Sequence, residues 1–562
     1  MDIKRTVLWV VFSLSLLMLW DGWMRHNGNP SMFAPEASKP VAPAVATDKD
    51  AAVPQATQAD AAAPVADVPA DSAAAPAQAE RITITTDLVK ADISTVGGEL
   101  SRLELLQHKD AQDPTKNVVL MESSASHTYV AQSGLIGGPF PNHKTVFSVR
   151  PGTRSLEGGN TVQLVLDAVQ DGAKLTKTYT FTRGDYAIDV KHTVSNTGTA
   201  PITPSVYVQL VRDDGKLEGD SNFYSTFNGP ALYTDAEKFR KVSFDDIASQ
   251  KNPPPALGDN GWIAMVQHYF VSAFLPQDKA PRELFTKKIN TNLYAVGAIM
   301  KLGSIAPGAT ATLDGKMFAG PQESKKLEQF ATDFDLVKDY GWLTIIAKPI
   351  FWLMEQIHKI LGNWGWAIIV LTILIKLAFF PLSAASYRSM AKMKLVTPKM
   401  TAIRERHKSD PQKMNAAMME LYKTEKINPL GGCLPIVVQI PVFISLYWVL
   451  LASVEMRNAP WLGWIQDLSA PDTLFGIYNI AGFSVPVGLL PILMAVSMFI
   501  QTKLNPTPPD PIQAKVMLFM PLIFSLMFFF FPAGLVLYWV VNNVLSIGQQ
   551  WFITRQSEQA KA

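Results

Sequence analysis

From residue 360 onward the chain contains apolar runs too long and too poor in charge for a water-soluble core. Residues 427–454 and 473–502 carry no Asp, Glu, Lys or Arg, and 516–553 carries none over 38 residues. At about 1.5 Å per residue, roughly 20 helical residues cross a hydrocarbon layer of about 30 Å. The 38-residue run is broken by Phe531-Pro532-Ala533-Gly534 and has the length for two crossings with a tight turn. Residues 360–387 form a further run with one charge, Lys376. The pattern predicts five spans, at about 362–382, 430–454, 484–503, 516–531 and 534–553.

Loop charge gives the expected orientation. Residues 383–429 carry ten Lys or Arg against four Asp or Glu, whereas 455–484 carry Arg457 against three acids. The positive-inside rule places the first loop in the cytoplasm and the second outside. Residues 1–25 begin with Lys4-Arg5, continue as an apolar run and end near Trp20 and Trp23, the pattern of a retained signal-anchor with its N-terminus inside. A cytoplasmic tail is expected at 556–562.

Residues 26–80 are mostly Ala- and Pro-rich, and 34–79 hold no aromatic residue. Such a stretch buries too little apolar surface to offset its ordering entropy, so it reads as a tether. Residues 81–338 differ again. In 175–196, LTKTYTFTRGDYAIDVKHTVSN, apolar residues alternate with polar ones on both sides of Gly184-Asp185, which predicts a hairpin with one buried face. Short alternating runs recur at 81–86 and 261–275, and the expectation is an exported antiparallel β-sandwich. The fold class is therefore a multi-domain membrane protein, an antiparallel sandwich followed by an α-helical membrane core.

Composition and motifs exclude several functions. A formal net charge of +2 offers no bulk attraction for nucleic acid. The single cysteine, Cys433, excludes an intrachain disulfide and a multi-thiolate metal site. His108, His127, His143, His192 and His268 are scattered without metal-ligand spacing, and there is no nucleophile elbow or phosphate loop. No cofactor, metal or catalytic set is expected.

Residues 339–361 read as an amphipathic helix lying in the outer interface. The loop 383–429 reads as a helical hairpin, turned at Ser409-Asp410-Pro411, an N-cap followed by an N1 proline. Arg388, Lys392 and Lys394 on its basic face, with Met414 and Met418 among its methionines, are candidates for meeting anionic lipid, ribosomal RNA or substrate. Packing of one helix on the other accounts equally for the methionines.

Lys376 is costly at mid-bilayer, and such residues usually face a bundle interior or a wet cavity. Thr372 lies one turn earlier on its face. Gln439, Ser497 and Gln501 punctuate two other spans, and Tyr538, Asn542 and Ser546 form a stripe with Trp539 and Asn543 beside it. Together they suggest a hydrophilic groove open to the cytoplasm and stopping short of the outer side, with Lys376 left free in water.

The segments NWGWAIIVLTILIKLAFFPLS, SMAKMK, NPLGGCLPIVVQIPVF and FPAGLVLYWVVNN, in this order, resemble the YidC/Oxa/Albino family of membrane protein insertases. The likeness spans the chain and points to the bacterial form with a large periplasmic domain. It implies insertion and folding of inner-membrane proteins, alone or with the Sec translocon. Implied partners are nascent membrane proteins, Sec components, the ribosome and membrane lipids. It implies that Lys376, arginine in many relatives, draws translocating segments into a groove, and that Thr372 and Trp539 touch substrate. Trp539 is tyrosine in some relatives. The sandwich is expected to resemble mutarotase folds without being a catalyst. A transporter or channel with a receptor-like sandwich, and a membrane-anchored sugar enzyme, are the alternatives.

Overall fold

In the strand Ala173–Thr182 the burial alternates at every residue, as the period-two pattern requires, and it pairs antiparallel with Ala187–Asn196. The two are neighbours in a nine-stranded sheet of a computed structural model, which describes residues 54 and 79–559 apart from 111–112, 114, 125, 216–225, 252, 255–257, 259, 278–280, 408–409, 426–433, 481–482 and 506–510. The expected signal-anchor, and nearly all of the expected tether, lie outside the described residues. The chain divides into two compact units, Met1–Val337 and Lys338–Ala562.

The first unit is a sandwich of two antiparallel sheets. One has eight strands, beginning at Arg81–Thr85 and ending in space at Arg282–Lys288. The other has nine, from Lys238–Lys241 at one edge to Ser148–Val149 at the other. Apolar side chains such as Leu164, Leu175, Leu103 and Leu210 are fully buried in its core.

A polar cluster around Lys177 lies within that core. Lys177 is wholly buried, and its ammonium donates to the carbonyls of Gly97 (2.6 Å) and Ser133 (2.7 Å) while sitting 4.9 Å from the Phe147 ring centre. His192, its cross-strand neighbour, places Nε2 2.8 Å from the Ser133 hydroxyl, and His143 pairs with the Tyr207 hydroxyl. Burial pushes His192 down to about 3 and His143 down to about 4, with nearby lysines adding to both effects.

The sign of the pH dependence follows. The unfolded histidines take protons near their ordinary value of about 6.5, which the folded ones refuse until much lower pH. The histidines' share of the stability is therefore complete above about pH 6.5 and lost as pH falls toward 4, while Lys177, pushed down to about 7 by burial, acts in the same direction at higher pH. Each such proton steepens the loss by about 1.4 kcal/mol per pH unit. Glu99, raised by burial, opposes this with one proton above its ordinary range. Denaturant unfolding of the sandwich at pH 7, 6 and 5 should show falling midpoints, and constant or rising midpoints would contradict the buried neutral histidines.

The second unit contains eight α-helices among the described residues. They are α1 (Thr344–Leu361), α2 (Trp364–Ala378), α3 (Phe380–Arg406), α4 (Pro411–Thr424), α5 (Leu434–Ala452), α6 (Leu489–Leu504), α7 (Pro511–Phe528) and α8 (Ala533–Gln559). No single described helix is long and apolar enough to cross a membrane; α2 and α3, bent by 67° at their junction, have the length and composition together. The stretch expected as a span at about 362–382 is divided between α2, which ends at Ala378, and the start of α3. Phe379 closes α2 by donating its N–H to Ile375, and Pro381 sits in the first turn of α3, where its missing N–H costs nothing. Ahead of α6, residues Ile477–Ile480 and Phe483–Pro486 form a two-stranded hairpin, so that helix starts only at Leu489.

The hairpin turn matches its chemistry: Asp410 accepts from the N–H groups of Gln412 and Lys413, and Pro411 occupies N1. Val396 and Met400 of α3 pack with Met393, Met418, Leu421 and Tyr422.

Candidate functional site

The Lys376 side chain points at α8. Its ammonium donates to the Ser546 hydroxyl at 2.7 Å, and that hydroxyl donates to the Asn542 carbonyl at 2.7 Å. The two helices run side by side in the same sense: Ile368 lies against Gly534 and Lys376 against Ser546. Lys376 is 6% exposed and Thr372 1%, so this face of α2 is covered rather than open. Lys376 is not left free, as the sequence suggested: the Ser546 hydroxyl holds it, and no carboxylate pairs with it among the described residues. Thr372 turns its hydroxyl back to the Ile368 carbonyl at 2.6 Å, as threonines in apolar helices commonly do.

The other expected groove residues do not all join this cluster. Gln439 of α5 reaches Ser383 of α3 at 3.4 Å. Tyr538 and Trp539 enter an aromatic cluster, with the Phe443 ring 6.0 Å from Tyr538 and 4.4 Å from Trp539, and Phe528 5.7 Å from Trp539. The Trp539 indole N–H is buried and makes no hydrogen bond within the described structure. Asn542 contributes its backbone carbonyl to the Lys376–Ser546 pair.

A second polar line joins α6 to α8. Asn543 donates to Ser497 at 3.1 Å, and Gln501 donates to Gln550 at 2.9 Å. Ser546 and Ser497, which the sequence places among the polar residues of the spans, both take part in these contacts. Ser546 closes the 538–542–546 stripe and was the available signal.

Packed loops close one end of these helices. Asp472, 3% exposed, accepts from the N–H groups of Leu474 (3.1 Å) and Leu490 (2.8 Å) and so caps α6, while a side chain on Gly488 would overlap it. Asn363 caps α2 and also donates to the Pro460 carbonyl at 3.0 Å. The N–H groups of Ala533 and Gly534 are taken by Ala470 and Leu468 of the same loop. At the opposite end the hairpin presents Arg388, Lys392 and Lys394, all exposed, with Met414 half-buried and Met418 in the interhelix contact. Among the described residues no group of three or more His, Cys, Asp or Glu stands ready for a metal.

Two family models match most of the chain. Residues 81–353 match the family model described as the YidC periplasmic domain, and 356–560 match that of the 60Kd inner membrane protein. The membrane protein insertase YidC of Janthinobacterium sp. (strain Marseille) is 66% identical over 99% of both chains. That of Herminiimonas arsenicoxydans is 64% identical over 100% of both. Among solved structures, an active YidC insertase with its first transmembrane domain resolved covers 83% of this chain and 91% of its own, at 18% identity and TM-score 0.37. A galactose mutarotase-like protein from Lactobacillus casei ATCC 334 covers 43% of this chain and 100% of its own, at 15% identity and TM-score 0.30. With full-length relatives at this level of identity, the chain belongs to the YidC family.

Proposed function

We propose that this chain is a membrane protein insertase of the bacterial inner membrane, and that the Lys376–Ser546 cluster is where it receives the polar part of a nascent chain. The names carried by its relatives supply the activity. The observation that carries the site is a lysine held by a hydroxyl between two apolar helices, with no carboxylate to neutralise it among the described residues.

The physical argument concerns hydrogen bonds. A polar segment entering hydrocarbon forfeits its partners at several kcal/mol per unsatisfied group. Lys376, Ser546 and the polar line from Asn543 to Gln550 offer replacements inside the bundle. Ser546 lies 13 residues into α8, about 20 Å along a helix that must traverse about 30 Å, nearer the end that carries the basic hairpin. The packed loops at 454–472 favour a site that receives segments from the hairpin side and holds them short of the far side. Movement of the hydroxyl from Lys376 to a substrate group would open the cluster; the adjoining apolar faces, where Ile373, Leu374 and Leu377 are exposed, lead toward lipid. No nucleotide enters this scheme.

In this reading both termini and the hairpin are cytoplasmic, the sandwich is periplasmic and non-catalytic, and five spans follow the anchor. Ribosomes and Sec components are the partners at the hairpin and in the bilayer.

A photoreactive residue placed at Thr372 should crosslink a stalled single-span nascent chain, with little crosslinking from Ile492 on the exposed face of α6. Equal yields at both positions, or none at Thr372, would remove the cluster as the receiving site.

A further inference from the structure

We infer that the pocket where α3, α6 and α8 meet binds the phosphate headgroup of an anionic phospholipid. The pocket measures about 340 Å³ and is lined by Lys394, Leu504, Gln550, Trp551, Thr554 and Arg555. That is far more than one water requires.

Its lining is selective in charge. Lys394 comes from α3 and Arg555 from α8, two cations brought together from positions 161 apart in sequence (555 − 394). Among the described side chains no carboxylate lines the pocket, and neither cation has an ion-pair partner there. Two like charges converge at a cost unless an anion joins them. A planar guanidinium and a mobile ammonium together suit a phosphate, the first as a fork and the second as a point charge. Thr554 adds a hydroxyl donor.

The walls are held in place. Gln550 donates to the Leu504 carbonyl at 3.2 Å and to Asn505 Oδ1 at 3.3 Å, and it accepts from Gln501 at 2.9 Å. This fastens the end of α6 to α8. The Arg555 guanidinium lies 5.4 Å from the Trp551 ring centre, which restrains it over the pocket.

Depth and surroundings favour a lipid over a nucleic acid or an acidic peptide. Gln550 to Arg555 lie 17–22 residues beyond Ala533, about 26–33 Å along α8, the headgroup level if that helix starts at the opposite face. Trp551 and Phe552 are more than half exposed, as is Leu395 beside Lys394. An apolar rim next to paired cations is the arrangement an amphiphile needs, acyl chains on the rim and phosphate in the pocket. This inference needs α8 to cross the membrane but does not use Lys376 or the insertion reaction.

Native mass spectrometry of the full-length chain, released from detergent with matched-chain phosphatidylglycerol or phosphatidylcholine, tests it. Two cations at an anionic headgroup predict about tenfold or greater retention of phosphatidylglycerol over phosphatidylcholine. Lys394→Gln with Arg555→Gln should abolish the preference. Lys413→Gln with Lys423→Gln removes as much charge from α4 and should keep it. Should the pocket double variant not fold, as judged by its thermal unfolding, Lys394→Gln alone should lower the preference. Equal retention of both lipids by the parent chain would overturn the inference, as would preference persisting in a folded pocket variant. Displacement of the lipid by equimolar inorganic phosphate would reduce the site to a phosphate site, and preferential displacement by an acidic peptide or RNA would reassign it; either result overturns the lipid assignment.

Discussion

Replacing Lys376 with glutamate lowers insertion of a single-span substrate with an acidic outer tail about tenfold or more, whereas arginine preserves it. Two effects act in the same direction. The cation that meets the acidic segment is lost, and a carboxylate takes its place in a site 6% exposed. Two unit charges about 4 Å apart interact by about 4 kcal/mol at an effective dielectric near 20, so reversing the sign exceeds the tenfold equivalent of about 1.4 kcal/mol. Arginine keeps the charge and donates to the Ser546 hydroxyl as lysine does; its fixed fork changes geometry more than electrostatics. Ser546→Ala leaves the charge but removes its holder, and should weaken insertion less than Lys376→Glu.

The second large effect is structural. Lys338 has no side-chain exposure, and its ammonium donates to both carboxylate oxygens of Glu455 at 3.2 and 3.0 Å while lying 4.0 Å from the Phe351 ring centre. The pair ties the residues ahead of α1 to the turn that follows α5. Lys338→Met strands the Glu455 carboxylate in a partly apolar site and should destabilise the second unit by about 3 kcal/mol. That is the lower end of the range for broken buried pairs, because Glu455 keeps 18% exposure. Lys338→Met with Glu455→Leu removes both charges and should recover most of the loss. Unfolding of the full-length chain in detergent reports both values, and a single variant as stable as the parent would show that the pair contributes little.

The sandwich was legible because a strand with one buried face leaves a period-two trace. Leu175, Tyr179 and Phe181 all point inward as the alternation requires. Lys177 occupies an inward position of the same strand, and nothing local predicts it. Its acceptors, the carbonyls of Gly97 and Ser133, come from segments 80 and 44 residues away. Helical stretches were legible in the same way, through length and absence of charge. Their ends were not, because breaks depend on local geometry such as the Phe379 cap and the Pro381 turn.

The polar residues of the spans were legible one by one, but which of them come together was not. Tyr538 and Trp539 are consecutive, so their side chains leave α8 about 100° apart and sit differently from the Asn542–Ser546 face. Both rings find partners in Phe443, which no spacing rule connects to them. Lys376 and Ser546 are 170 residues apart, and their contact depends on how two helices rotate about their axes. Likewise Lys394 read as part of a basic hairpin face, although the structure sets it beside Arg555 in a pocket.

The most direct measurement of the central claim uses two substrates that differ only in the charge of the translocated tail, acidic in one and neutral in the other. Protease protection is read in cells depleted of their own insertase and supplied with the parent chain, Lys376→Arg or Lys376→Glu. The account predicts normal insertion of both substrates with lysine or arginine, and with glutamate a loss of about tenfold or more for the acidic tail against a smaller loss for the neutral one. Full insertion of the acidic-tailed substrate by the glutamate variant would contradict it.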